Sequence, residues 1–298
     1  MNAPSRPNGA REAAEAARAR AARFEAEGLA GDLPAILLEA RRLAGAAQGV
    51  HGRRRAGLGE AFWQFRDHRP EDGARLVDWR RSARGERLYV REREREAAQT
   101  ALVWLDPDDG FAWASGPDLP TKKRRALTIA LAFAILVTRG GERAGALGGP
   151  PPRAGPRAVD RLAEDLSLAA AREPPAPSSR TAALYCSDFY GPLEPWRTRL
   201  KAASAAGASG ALLMVCDPAE EDFPFEGRTL FEFPGRKDTV LFGRAQSAKS
   251  AYGERLAAQR AGVRALAAQY GFVMLTHRTD RSPAPVLAAL TAALGEQR

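Results

Sequence analysis

The chain has 298 residues, 45% hydrophobic and 27% charged, with 45 Lys and Arg against 36 Asp and Glu and a formal net charge of +9. These totals suit one large or two ordinary globular domains and exclude a composition too polar to bury a core. The positive excess would suit an acidic partner, but many arginines alternate with glutamates, so the excess is spread over the surface and forms no lysine-rich patch.

In chain order, residues 1–27 form a tail, polar at first and then rich in Ala, Arg and Glu, with few apolar residues to mark a buried face. The run from Leu33 to Ala44 has apolar residues at helical spacing, and Pro34 falls in its first turn, where a missing N–H does no harm. Residues 28–97 are expected to form one region crowded with glycine, tryptophan and arginine. The glycines at 52, 57 and 59 and the Pro70–Gly73 cluster predict loops and turns within it. From Val90 to Glu96 the charge alternates sign residue by residue. A helix would set like charges at i,i+4, whereas a strand sorts arginines to one face and glutamates to the other, so a strand is expected.

From Ala98 to Arg298 strands alternate with helices. Strands are predicted at 100–105, 144–147, 181–187, 210–216 and 272–276, and helices at 122–138, 158–171, 193–206, 248–270 and 284–294, with a β-rich excursion from Arg228 to Phe242. Single helices between strands imply an α/β fold with a doubly wound, mostly parallel sheet covered on both faces.

Cys186 and Cys216 are the only cysteines, each in an apolar strand-like run, which predicts buried thiols, a reducing compartment and no zinc site. The chain opens on polar residues with Pro4, Pro7 and Gly9, unlike a secretory signal. Its longest apolar run, Ala126–Val137, is shorter than the ~18 residues a membrane span needs. A cytoplasmic protein without a membrane span is expected.

Three predicted strands end in aspartate: Asp106, Asp188 and Asp217. Ligands of open parallel sheets bind outside the carboxyl ends of the strands. Carboxylates converging there could hold a hard cation such as Mg2+, or each could cap the helix that follows. Phosphate-loop and nucleophile-elbow motifs are missing from the sequence, and His51, His68 and His277 are too scattered for a metal triad. The cluster Arg53-Arg54-Arg55 with Trp63, Phe65 and Trp79 suggests single-stranded nucleic acid, but Glu60, Asp67, Asp72 and Asp78 offset it, and a nucleic-acid groove needs uncompensated charge.

The segment from His51 to Arg84 resembles the signature of the domain of unknown function 58 family, through Gly59, Glu60, Phe62, Arg66, Gly73, Asp78, Trp79, Arg80, Ser82, Ala83 and Arg84. Ser187-Asp188-Phe189 and Asp217-Pro218 with Glu220, Pro224 and Gly227 match its later landmarks. The second half of that family is similar to von Willebrand factor A domains, which implies an A-like domain over residues 98–298. The resemblance implies a metal site of the form Asp-x-Ser-x-Ser. Here those slots hold Asp106, Asp108 and Gly110, so both hydroxyls are gone, and Asp188 would be the distal carboxylate. It also implies a non-enzymatic adaptor working with a MoxR-type AAA+ ATPase. On this reading the acidic strand-end face, including Asp109 and Asp217, meets the partner. Asp78 is expected to pair with Arg80 or Arg84. The rival readings are a nucleic-acid-binding protein and a metal-dependent hydrolase at the strand-end aspartates.

Overall fold

A computed structural model describes residues 34–47, 62–67, 77, 79–83, 88–93, 100–155, 157–168, 173, 175–177, 181–232 and 239–296. The chain divides into two compact units, one of residues 51–98 and one of residues 1–50 with 99–298.

In the smaller unit, β1 (Phe62–Asp67) pairs antiparallel with β2 (Tyr89–Arg93), and α2 (Trp79–Ser82) is a single helical turn. The strand expected from Val90 is therefore present as β2, up to Arg93. The loops and turns expected at the glycines 52, 57 and 59 and at Pro70–Gly73 lie outside the described residues, and strand β1 between them was not expected from the sequence. Its register shifts between Phe62 and Gln64, and such a bulge breaks the period-2 pattern by which a strand is read. Ser82 is buried, and its hydroxyl accepts the Tyr89 N–H at 2.9 Å, which ties α2 to β2.

The larger unit is an α/β fold. Before its first strand comes α1 (34–47), and its strands are β3 (Thr100–Leu105), β4 (Arg143–Ala146), β5 (Thr181–Ser187), β6 (Ser209–Cys216) and β9 (Phe272–Arg278). They form one parallel sheet in the order β4-β3-β5-β6-β9. The three central strands are nearly continuous apolar runs because both faces are covered. Successive residues alternate between two cores: Val103, Leu184 and Leu213 on one face, Trp104, Tyr185 and Leu212 on the other.

The first face carries α3 (Lys122–Arg139), α4 (Ala158–Ser167) and α8 (Ala284–Glu296), and the second α5 (Leu193–Ala205) and α7 (Lys249–Gln269). Helix α3 is buried from Ala126 through Ile135 because it is enclosed by the sheet, α4 and α8, which is why its apolar run is not confined to one stripe. Thr121 caps its start by accepting the Arg124 N–H at 3.1 Å, and Gly140 ends it. Ile36, Ala40, Leu43 and Ala44 of α1 are buried in the same core, and Arg125–Glu39 (3.1 Å) and Arg41–Asp160 (2.8 Å) bind α1 to α3 and α4. Helix α1 thus belongs with the α/β unit and not, as the division at residue 98 assumed, with the region around Trp79.

Two further elements follow β6: α6 (Pro218–Asp222), and a hairpin of β7 (Thr229–Glu232) and β8 (Thr239–Phe242). Phe231 and Phe242 join an aromatic cluster with Phe223, Phe225 and Tyr252. From β3 the chain steps outward to β4, then returns to lay β5 on the other side of β3. The strand order therefore reverses at the β3–β5 pair, the place beyond the carboxyl ends of the strands where open α/β sheets form their ligand crevice.

Candidate functional site at the strand ends

Asp106 follows β3 and Asp188 follows β5, so the sheet itself delivers both to the reversal point. Ser187, the last residue of β5, donates its hydroxyl proton to Asp106 Oδ2 at 2.5 Å and accepts the Phe189 N–H at 3.0 Å. Asp106 Oδ1 accepts the Asp108 N–H at 3.0 Å, and Asp108 Oδ1 accepts the Gly110 N–H at 2.9 Å, so the loop after β3 is folded by its own aspartates. Burial raises the pKa of Asp106, opposed by the Ser187 hydrogen bond.

Beyond the ends of β5 and β6 lies the ammonium of Lys122, the first residue of α3, and it is almost wholly buried (1% exposed). Its backbone N–H is held by Trp113 O at 3.1 Å. Its Nζ lies 2.8 Å from Asp188 Oδ2 and 2.5 Å from Glu220 Oε1. The rings of Tyr190 and Trp113 flank it, with centroids at 5.1 and 6.0 Å, within reach of a cation–π attraction. Glu220 Oε2 accepts the Asp217 N–H at 2.9 Å and the Tyr190 hydroxyl at 3.2 Å, and Asp188 Oδ1 accepts the Tyr190 N–H at 3.2 Å. All four oxygens of the two carboxylates therefore have a donor.

Burial pulls the Lys122 pKa down, but the charges of Asp188 and Glu220 outweigh it and the net shift is upward. Burial pushes Glu220 up, against the charge of Lys122. An ammonium fixed between two carboxylates keeps its charge, because losing it would leave both acids buried and unpaired.

Asp217 is the N-cap of α6: its carboxylate accepts the Ala219 N–H at 2.8 Å, while Glu220 reaches back to the Asp217 N–H. Its other oxygen accepts the Ser115 N–H at 2.9 Å. Asp217 is fully buried (0% exposed), which corrects its assignment to a partner face. It organises the crevice from within.

The metal set expected from sequence, Asp106, Asp108 and Asp188, is not assembled for that role. Asp106 is occupied by Ser187 and a backbone N–H, and Asp188 by Lys122. Among the described residues no group of three or more His, Cys, Asp or Glu is placed to hold a metal ion. Of the three expected ligands, Asp188 is the one whose oxygen the Lys122 ammonium takes.

Asp108 is exposed and Asp109 half-buried, on the rim. Further along the rim Arg278 binds Asp222 (2.8 and 2.7 Å) and Asp280 (2.9 and 3.0 Å), and Arg260 binds Glu221 and, at 3.3 Å, the Cys216 sulfur. Burial pushes the Cys216 thiol up to about 11 and Cys186 also upward, so both are inert protonated thiols near neutral pH.

Of the signature residues, Trp79 is 61% exposed, Arg80 is exposed and Ser82 is buried. Phe62 and Arg66 lie in β1. Arg54, Gly59, Glu60, Asp78 and Arg84 lie outside the described residues, and so does the expected pairing of Asp78 with Arg80 or Arg84.

The fold and crevice define a three-layer α/β protein whose strand-end carboxylates are paired from within the chain. The chain belongs to the DUF58 family, described as "Protein of unknown function DUF58", which it matches over residues 64–262. It is 28% identical over 264 residues to the uncharacterized proteins Rv1480 of Mycobacterium tuberculosis (strain ATCC 25618 / H37Rv) and Mb1516 of Mycobacterium bovis, with 81% of each chain covered. A crystal structure of an aerotolerance-related membrane protein from Bacteroides fragilis NCTC 9343, carrying multiple mutations to serines, aligns with 67% of this chain and 100% of its own. The identity is 9% and the TM-score 0.38, a likeness too slight to add to the fold already described. No helix among the described residues is long and apolar enough to cross a membrane.

Proposed function

We propose that the protein is a non-enzymatic interaction or adaptor module that works with a MoxR-type AAA+ ATPase in protein maturation or complex assembly. The observation that carries this reading is the saturation of the strand-end carboxylates. Asp106, Asp188, Asp217 and Glu220 each accept hydrogen bonds from the chain itself. A general acid or base must reach a substrate proton, whereas carboxylates held in this way serve to fix the shape of an edge. Around that fixed edge, Asp108 and Asp118 are exposed and Asp109 is half-exposed, an acidic rim suited to a basic patch on a partner. Complementary charge of this kind sets encounter rate and register more than affinity.

The test is direct binding of the purified chain to a MoxR-type ATPase encoded in the same genome, followed by sedimentation or interferometry. Saturable binding that weakens as salt rises is expected. No binding at low salt would overturn the reading.

A further inference from the structure

We propose that the strand-end crevice is a cation-binding site for a primary ammonium, and that its resident cation is the chain's own Lys122. This goes beyond the adaptor reading and stands or falls without it.

Three observations lead here. The first is the ligand set: two carboxylates delivered by different strands, Asp188 after β5 and Glu220 in α6 after β6, meet on one nitrogen at 2.8 and 2.5 Å. Two aromatic faces, Tyr190 and Trp113, close over that nitrogen. Carboxylates and ring faces together are what recognise an ammonium group of any origin. The second is the accounting of charge. Two carboxylates outnumber one ammonium, and the excess is met by the Tyr190 N–H and hydroxyl and the Asp217 N–H. The set is thus completed around a monovalent ion.

The third is the position of Lys122 itself. Four basic residues, Lys122 to Arg125, open α3 with no acid in its first turn, although the start of a helix carries the positive end of its dipole and disfavours cations. A buried ammonium persists there only because anions from outside the helix meet it. Lys122 is accordingly a tethered ion: the edge takes its shape without uptake of a free cation and does not depend on the supply of one.

Removal of the side chain should leave a vacancy that a small primary ammonium can fill. In the full-length chain, Lys122→Ala should lower the thermal midpoint by about 10 °C, the scale of a broken buried ion pair in a protein of this size. Ethylammonium chloride should restore a measurable part of that loss, and tetramethylammonium chloride at equal ionic strength should not, because it has no N–H to donate. Lys122→Met, which keeps the bulk without the charge, should stay destabilised and unresponsive.

If Lys122→Ala is insoluble, reductive methylation of the native parent decides. Lys122 should stay unmodified while its half-buried neighbour Lys123 reacts. A Lys122→Met variant as stable as the parent, equal action of the two ammonium salts on Lys122→Ala, or equal labelling of Lys122 and Lys123 would overturn the proposal.

Discussion

The Ser187 hydroxyl donates to Asp106 Oδ2 at 2.5 Å and so ties the end of β5 to the end of β3 where the strand order reverses. Ser187→Ala removes that donor and also the acceptor of the Phe189 N–H. Both groups lie in a mostly buried setting, so a loss of about 1–3 kcal/mol is expected in urea unfolding. Combined with Asp106→Ala, the loss should be less than additive, since each change removes the same Ser187–Asp106 bond. Full additivity would show that the two residues do not act together.

Much of this architecture is legible in the sequence, for a physical reason. Strands β3, β5 and β6 are buried on both faces and read as unbroken apolar runs, and α3 is buried almost throughout. Strand β1 was not legible, because the register shift beside Trp63 disrupts alternation in Phe62-Trp63-Gln64-Phe65. Asp217 was misassigned to the surface, although Asp217-Pro218-Ala219-Glu220 is a capping box that can be recognised by eye. The role of Lys122 is the larger omission. Its partners lie 66 and 98 residues away, so only the fold brings them together. The one local signal was a run of cations at the wrong end of a helix.

Two glycines offer a paired test of the packing. A Cβ on Gly210 would lie 1.9 Å from Ala183 O, inside the β5–β6 pair. Gly210→Ala should therefore cost more than about 3 kcal/mol, or abolish soluble expression, since backbone cannot yield at that distance. Gly253 lies on the exposed side of α7 with nothing within 4 Å of an added Cβ. Gly253→Ala should raise stability by about 0.5–1 kcal/mol.

Acid sensitivity should centre on His277. Burial, with the nearby Arg125 guanidinium, lowers its pKa to about 4, and its Nε2 is buried without a hydrogen-bond partner. The unfolded chain takes up the proton near pH 6.5, the folded chain only near pH 4. Protons therefore favour unfolding across that window, and stability falls as pH drops from 6.5 towards 4. At pH 5 the loss should be about 2 kcal/mol relative to neutral pH. His277→Gln should flatten this part of the profile in thermal scans at pH 7.5 and 5.

Trp79 presents a large aromatic surface to solvent, at 61% exposure. Trp79→Ala should change stability by no more than about 0.5 kcal/mol. If the adaptor reading holds, the same variant should bind the ATPase more weakly, because exposed tryptophans are frequent anchors of interfaces. A marked drop in thermal midpoint would make Trp79 a structural residue.

The central claim, that the acidic rim above the strand ends meets a MoxR-type ATPase, is tested most directly by charge reversal. The parent and an Asp108→Lys, Asp109→Lys double variant are compared in pull-downs with the ATPase at low and moderate salt. Both residues lie on the rim outside the Lys122 cluster, but Asp108 also accepts the Gly110 N–H, so the thermal midpoint of the variant is matched against the parent's before capture is compared. Capture of the parent that weakens with salt, together with loss of capture by the variant at low salt, is the predicted result. Equal capture of parent and variant at both salt concentrations would contradict it.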